Sequence, residues 1–310
     1  MNQTILITDT EPDDIIAIIV LTKCKINITH AIVIDRSIDC KWDRLDYYKQ
    51  LRQHVEIPEA CYLPAATVNN YLTGLNYDNP TQIICLANFL PLVHLHQSLP
   101  ESTKKITVWA YGSVNMRWAL NDVSKEQLLQ TINAGYEKFY LFETFAAYGP
   151  INDVNMTNGA DFHAHIDTST SQLVQFFKHT VNNWNNYLRD KMVAKLVLVN
   201  PEKYTQLLTN FASVTEIYAS CSKDDPSYIN LKILNSMNQC WSQFVFADIG
   251  LIMAMIDYEN DKNSWQQTQI TMPQRFTIPD SPLCDTTCYY YKGDSDRLAN
   301  HIQKLLRIIN

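Results

Sequence analysis

The chain has 310 residues, 46% of them apolar and 18% charged, enough to bury a sizeable core as one large domain or two small ones. A net charge of −7 without a basic stripe argues against a phosphate-backbone partner, so nucleic acid is not an expected ligand. No apolar run reaches the length of a membrane span, and no basic segment with an apolar stretch opens the chain, so the expected compartment is the cytoplasm.

In chain order, Thr4 to Thr8 reads as a strand and Asp13 to Lys23 as the helix after it. Between them Ile5-Leu6-Ile7-Thr8 runs into Asp9-Thr10-Glu11-Pro12-Asp13-Asp14, which holds four carboxylates within six residues. A buried strand that releases acids at its C-terminal end sets them where open α/β sheets bind ligands. Four mutually repelling carboxylates call for a counter-charge, and a hard divalent cation with oxygen ligands is the natural candidate. An acidic turn that serves only the N-terminus of the following helix is the plainer alternative.

His30 to Ile34 reads as a second strand, Trp42 to His54 as an amphipathic helix and Ala60 to Leu63 as a short strand. Thr67 to Asn79 is polar and without periodicity, which predicts a loop. A helix is expected over Thr81 to Gln97, then a strand over Lys105 to Tyr111. Gly112-Ser113-Val114-Asn115 turns into a helix at Met116 to Leu120. Phe139 to Phe142 is a further strand, Ser171 to Asp190 a long helix, and Lys195 to Val199 and Glu216 to Tyr218 later strands. Strands alternating with helices specify an open, mostly parallel sheet flanked by helices, as one compact α/β domain over residues 1–310.

Seven glycines form no Gly-rich phosphate loop, no G-x-G-x-x-G and no Walker motif, and the absence of G-x-S-x-G argues against an α/β-hydrolase. Eight cysteines are scattered over the chain and read as reduced thiols; Cys284 and Cys288 form a lone C-x₃-C pair, weak as a zinc signal. His94 and His96 alternate along an apolar stretch and read as surface or core residues.

Two later segments carry polar chemistry. Asn155-Met156-Thr157-Asn158-Gly159-Ala160-Asp161-Phe162-His163 offers an amide, an acid and an imidazole able to grip vicinal hydroxyls, or simply a polar turn. Asp248 lies between Phe246-Ala247 and Ile249-Gly250-Leu251-Ile252, where an acid caps a helix, pairs with a base or binds a metal.

Together these motifs resemble the inosine–uridine-type nucleoside hydrolase superfamily, from Ile5 to Asp257. Its N-terminal motif, an Asp, three residues and Asp-Asp, is matched by Asp9, Asp13 and Asp14. Its Gly-Pro-Leu-Thr-Asn turn is similar to Gly112-Ser113-Val114-Asn115-Met116. Its Asn-x₅-Glu-Phe-Asn segment is similar to Asn155 through Asp161-Phe162-His163, and its late His-Asp-Pro to Ala247-Asp248-Ile249.

The resemblance implies a Rossmann-like α/β fold and calcium-dependent hydrolysis of the N-glycosidic bond of a nucleoside-like small molecule. Asp9 would ligate Ca²⁺ and act as general base toward a metal-bound water. Asp14, Asp248 and the main-chain carbonyl of Asn115 would complete the protein ligands. Asp13, Asn155, Asp161 and His163 would hold the sugar hydroxyls. Homodimers or homotetramers are the assemblies implied.

The chain departs from the pattern at Ala247, where the family's leaving-group histidine stands, and around Asp35-Arg36, where the family has Gly-Asn. Glu11 replaces a glycine, Asp161 is a methylene shorter than Glu, and His163 replaces Asn. A relative acting on another ribosyl conjugate or glycoside, and a non-catalytic metal-bearing binding protein, therefore stay open as alternatives.

Overall fold

A computed structural model describes residues 3–35, 43–64, 67–112, 123–143, 168–239, 247–258, 265–267, 288–291, 304 and 307–309. The chain divides into two compact units, Met1–His165 with Val245–Asn310, and Ile166–Phe244.

The first unit is built on β1 (Gln3–Thr8), β2 (His30–Asp35), β3 (Ala60–Pro64), β4 (Thr81–Cys85), β5 (Ile106–Gly112) and β6 (Lys138–Glu143). These six strands are parallel, in the order β3-β2-β1-β4-β5-β6. Two short strands continue the sheet beyond β6. Cys288–Tyr291 pairs with it in parallel, and Trp265–Gln267 adds an antiparallel edge. The open, mostly parallel sheet expected from the alternation of elements is thus present.

The order places a topological switch between β1 and β4. The chain builds outward from β1 through β2 to β3, then returns to the other side of β1. Ile5, Leu6 and Ile7 of β1 are fully buried, as parallel strands covered on both faces require. Each such side chain contributes about 1.5–3 kcal/mol relative to exposure.

Helix α1 (Pro12–Lys23) follows β1 after three residues, and its Ile15–Leu21 run is buried on every side. Isoleucine and valine are modest helix formers, so burial rather than propensity sustains this helix. Proline in its first turn and Asp13 and Asp14 beside it favour starting there. On the sheet, Trp109 of β5 stacks on Tyr140 of β6 at 3.9 Å between centroids, with Tyr258 and Trp265 edge-on to both rings.

Four local expectations are corrected. Thr81 to Gln97 is not one helix: its first part is β4 and only Leu90–Ser98 (α4) is helical. Ile83-Ile84-Cys85 is a fully buried run paired to β1 and β5, and such a run has no polar alternation to mark it as strand. Within the expected loop Thr67 to Asn79, Val68–Thr73 is helical because Val68 and Leu72, four apart, are both buried.

Lys195 to Val199 is not a strand but the end of a helix running over Gln172–Val199. There Val193 and Leu196 join the second unit's core, while Leu198 and Val199 are left exposed. Glu216 to Tyr218 belongs to the helix Val214–Ala219, whose Val214 and Ile217 face the same core at a spacing of three. The helix expected at Trp42 to His54 is α2 (Arg44–Leu51). The expected helix at Met116 to Leu120 lies outside the described residues. Cys24, Cys61, Cys85 and Cys221 are free thiols. No helix among the described residues is long and apolar enough to cross a membrane.

Ile84→Ala should cost about 2–5 kcal/mol of unfolding free energy, as expected for a truncated, fully buried strand residue. Urea unfolding of the full chain reads this, and a loss below about 1 kcal/mol would contradict a central position for β4.

Candidate functional site

Asp9 is the first residue beyond β1, at the C-terminal edge of the sheet and at the switch point, where open parallel sheets leave a crevice. The turn out of the strand is tight. Thr10 has φ 54°, a left-handed conformation that a β-branched residue rarely adopts and that costs about 1–3 kcal/mol. Local hydrogen bonds hold it there. The Thr10 N–H donates to Thr8 Oγ1 at 3.0 Å. The Thr10 hydroxyl shares its proton between the carbonyls of Asp9 (2.9 Å) and Arg44 (3.0 Å). Arg44, at the start of α2, also sets its guanidinium 3.6 Å from the Glu11 carboxylate. The loop that aims Asp9 is therefore tied to a second element.

Asp14 is fully buried in the first turn of α1. Its Oδ2 accepts from the N–H groups of Glu11 (3.0 Å) and Asp9 (3.2 Å), reaching back over the helix start as the third residue of a capping box does. Its Oδ1 is buried without a hydrogen-bond partner.

Asp248 arrives from far along the chain, in the first turn of the helix Ala247–Ile256. That helix packs against α1 and β5, and its Ile249, Leu251, Ile252 and Ala254 are buried. Asp248 is 4% exposed, lies within hydrogen-bonding reach of Asp13 and Asp14, and also carries a buried, unpartnered Oδ1.

Asp9, Asp13, Asp14 and Asp248 are thus one cluster. Burial raises the pKa of Asp14 well above the ordinary carboxyl value, and Asp248, Asp9 and Asp13 add repulsion. Burial likewise raises Asp248, with Asp13 the largest neighbouring charge. Asp13 keeps partial contact with solvent, yet the protein around it and the Asp9 charge push it up to about 7. Among the described residues, no group of three or more His, Cys, Asp or Glu side chains is arranged, as it stands, to hold a metal ion. The carboxyl groups are engaged with one another and with backbone N–H groups.

Asn115, Asn155, Asp161 and His163 lie outside the described residues. Gly112, which opens the expected Gly-Ser-Val-Asn turn, ends β5 with φ 151°, a conformation that favours glycine. A groove of about 680 Å³ lined by Lys23, Lys25, Ile28, His54 and Ile57 lies at the starts of β2 and β3, the opposite sheet edge from the acids, and takes no part in this chemistry.

No protein-family model matches the sequence, and no curated protein matches it. Solved structures do. A plant nucleoside hydrolase superposes with a TM-score of 0.52 at 10% identity, covering 98% of both chains. This is the nucleoside hydrolase fold. An inosine-guanosine nucleoside hydrolase gives 0.50 at 11% identity, over 99% of this chain and 98% of its own. The nucleoside hydrolase fold here carries its buried acids at the C-terminal end of β1.

Sequence reasoning missed the Arg44 clamp on Thr10 and Glu11. The contact joins residues 34 apart, across a strand and a helix, and neither segment advertises it.

A carboxyl raised in the folded state holds its proton where the unfolded chain has lost it. Its stability contribution is then complete below its ordinary value of 3.8 and is lost as pH climbs toward about 7. The metal-free protein should therefore lose melting temperature over that interval, and Asp13→Asn should flatten the fall. An equally steep fall in the variant would remove Asp13 from this role.

Proposed function

We propose that the chain is a divergent member of the inosine–uridine nucleoside hydrolase superfamily. In this reading it hydrolyses the N-glycosidic bond of a nucleoside or related N-riboside with calcium. The observation that carries the reading is the buried acid cluster at the tip of β1, in a fold shared with nucleoside hydrolases.

Asp9, Asp14 and Asp248 would hold the ion, with the Asn115 carbonyl as a further ligand. The donors fit it. All are oxygens, as a hard cation prefers, and two are buried Oδ1 atoms with no hydrogen-bond partner. Binding would draw the acids from one another toward the ion and displace the protons that burial now favours.

Bound calcium supplies the positive charge that makes a water acidic near neutral pH. Asp9 would act as general base toward the attacking water, whose oxygen would bond to the anomeric carbon as the C–N electron pair leaves with the base through an oxocarbenium-like transition state. Asp13, Asn155, Asp161 and His163 hold the sugar hydroxyls, carboxylates accepting and the amide both donating and accepting. Gripping the sugar lets binding energy act on the transition state.

Ala247 can neither protonate nor stack on a departing base. The substrate that suits it has a weakly basic leaving group, such as a nicotinamide- or pyrimidine-like base. The same alanine favours a second reading, a relative that acts on another ribosyl conjugate or binds without turnover. A homodimer or homotetramer of one-domain chains belongs to the same proposal.

A reducing-sugar assay over ribonucleosides, deoxyribonucleosides and nicotinamide riboside, with calcium and with chelator, tests the reading. Calcium-dependent release of sugar is expected. Asp9→Asn should lower turnover by about 10³-fold or more, since base and metal ligand are lost together. Wild-type activity in Asp9→Asn would sink the mechanism, and silence across the panel in protein that binds calcium would favour the second reading.

A further inference from the structure

The helix that carries Asp248 meets β6 at Gly250. A Cβ added at Gly250 would lie 2.7 Å from Cζ and 2.9 Å from Cε1 of Phe142, closer than real Cβ contacts come. Phe142 is itself fully buried, so its ring has little freedom to retreat. The next residues, Leu251 and Ile252, are fully buried as well, and the helix is pressed onto α1 and β5. Contact with the ring is made by backbone, at a helical position whose missing side chain permits it.

Asp248 lies two residues before this contact, in the same helical turn. Its place beside Asp13 and Asp14 depends on how deeply the helix sits over the sheet. We infer that Gly250 is a positioning residue for the cation site: its missing side chain seats the helix against Phe142 at the depth that brings the Asp248 carboxylate into the acid cluster. This rests on the metal reading above and adds a residue to it. Glycine within a helix is unfavourable by propensity, so alanine would be preferred there if depth did not matter. Overpacking at Gly250 would move the helix outward as a unit, because interiors transmit strain rather than absorb it.

The test is Gly250→Ala in the full chain, with calcium titrated into chelator-treated protein and followed by calorimetry and thermal melting. The apparent Kd for calcium should rise by about tenfold or more, as when a group that orients a metal ligand is altered. Adding Phe142→Leu removes the ring atoms that clash and should restore calcium binding. Calcium affinity in Gly250→Ala equal to wild type, whatever its melting temperature in chelator, would overturn the positioning role. Loss that Phe142→Leu fails to repair would overturn the stated cause. Should Gly250→Ala not fold, the double variant must fold and bind calcium like Phe142→Leu alone, and failure there also overturns it. A wild type with no calcium response removes the metal reading, and this inference falls with it; the wild-type control thus separates the two failures.

Discussion

Burying several carboxylates in one place is the constraint on which the rest of this molecule depends. Asp9, Asp14 and Asp248 are almost without solvent, and the strongest influences on Asp13, Asp14 and Asp248 are burial and one another. Such a set is stable only if protons or a cation neutralise it. The surrounding structure does not relieve the repulsion. It holds the acids in place against it, through a strained Thr10, a helix start that uses Asp14 as its cap, and a second helix pressed onto the first.

The architecture supplies that force without special chemistry. β1 is paired on both edges, and α1 is apolar all round. Neither can shift without exposing isoleucine side chains to water, each worth on the order of 1.5–3 kcal/mol. The strand order puts the topological switch at β1, so a strand paired on both edges delivers its acids to the place where open parallel sheets bind ligands. By contrast, the Glu11–Arg44 ion pair is loose and partly solvated, and exposed pairs contribute about 0–1 kcal/mol. Its value is geometric: with the Thr10–Arg44 hydrogen bond, it closes the loop beneath Asp9.

A fold shared with nucleoside hydrolases at 10% identity leaves substrate chemistry to individual residues. The acids at the tip of β1 match the family's motif while the surroundings do not. Glu11 brings a carboxylate and an arginine tether where the resembled motif has glycine, and Ala247 stands where that motif has histidine.

The sequence by itself determined the parallel sheet, the exit of β1 into acids and the candidacy of Asp248, because these are local: apolar runs, their alternation with amphipathic stretches, and an acid stranded among aliphatic residues. It misread β4 as helix, since a run buried on both faces has no period, and it read Lys195 to Val199 and Glu216 to Tyr218 as strands because runs that short fit either element. Only the tertiary structure decided that Asp248 meets Asp13 and Asp14, that Arg44 holds Thr10, and that Gly250 lies against Phe142. Those are contacts between distant segments, set by how helices pack on an open sheet, and no local pattern encodes the depth at which a helix comes to rest.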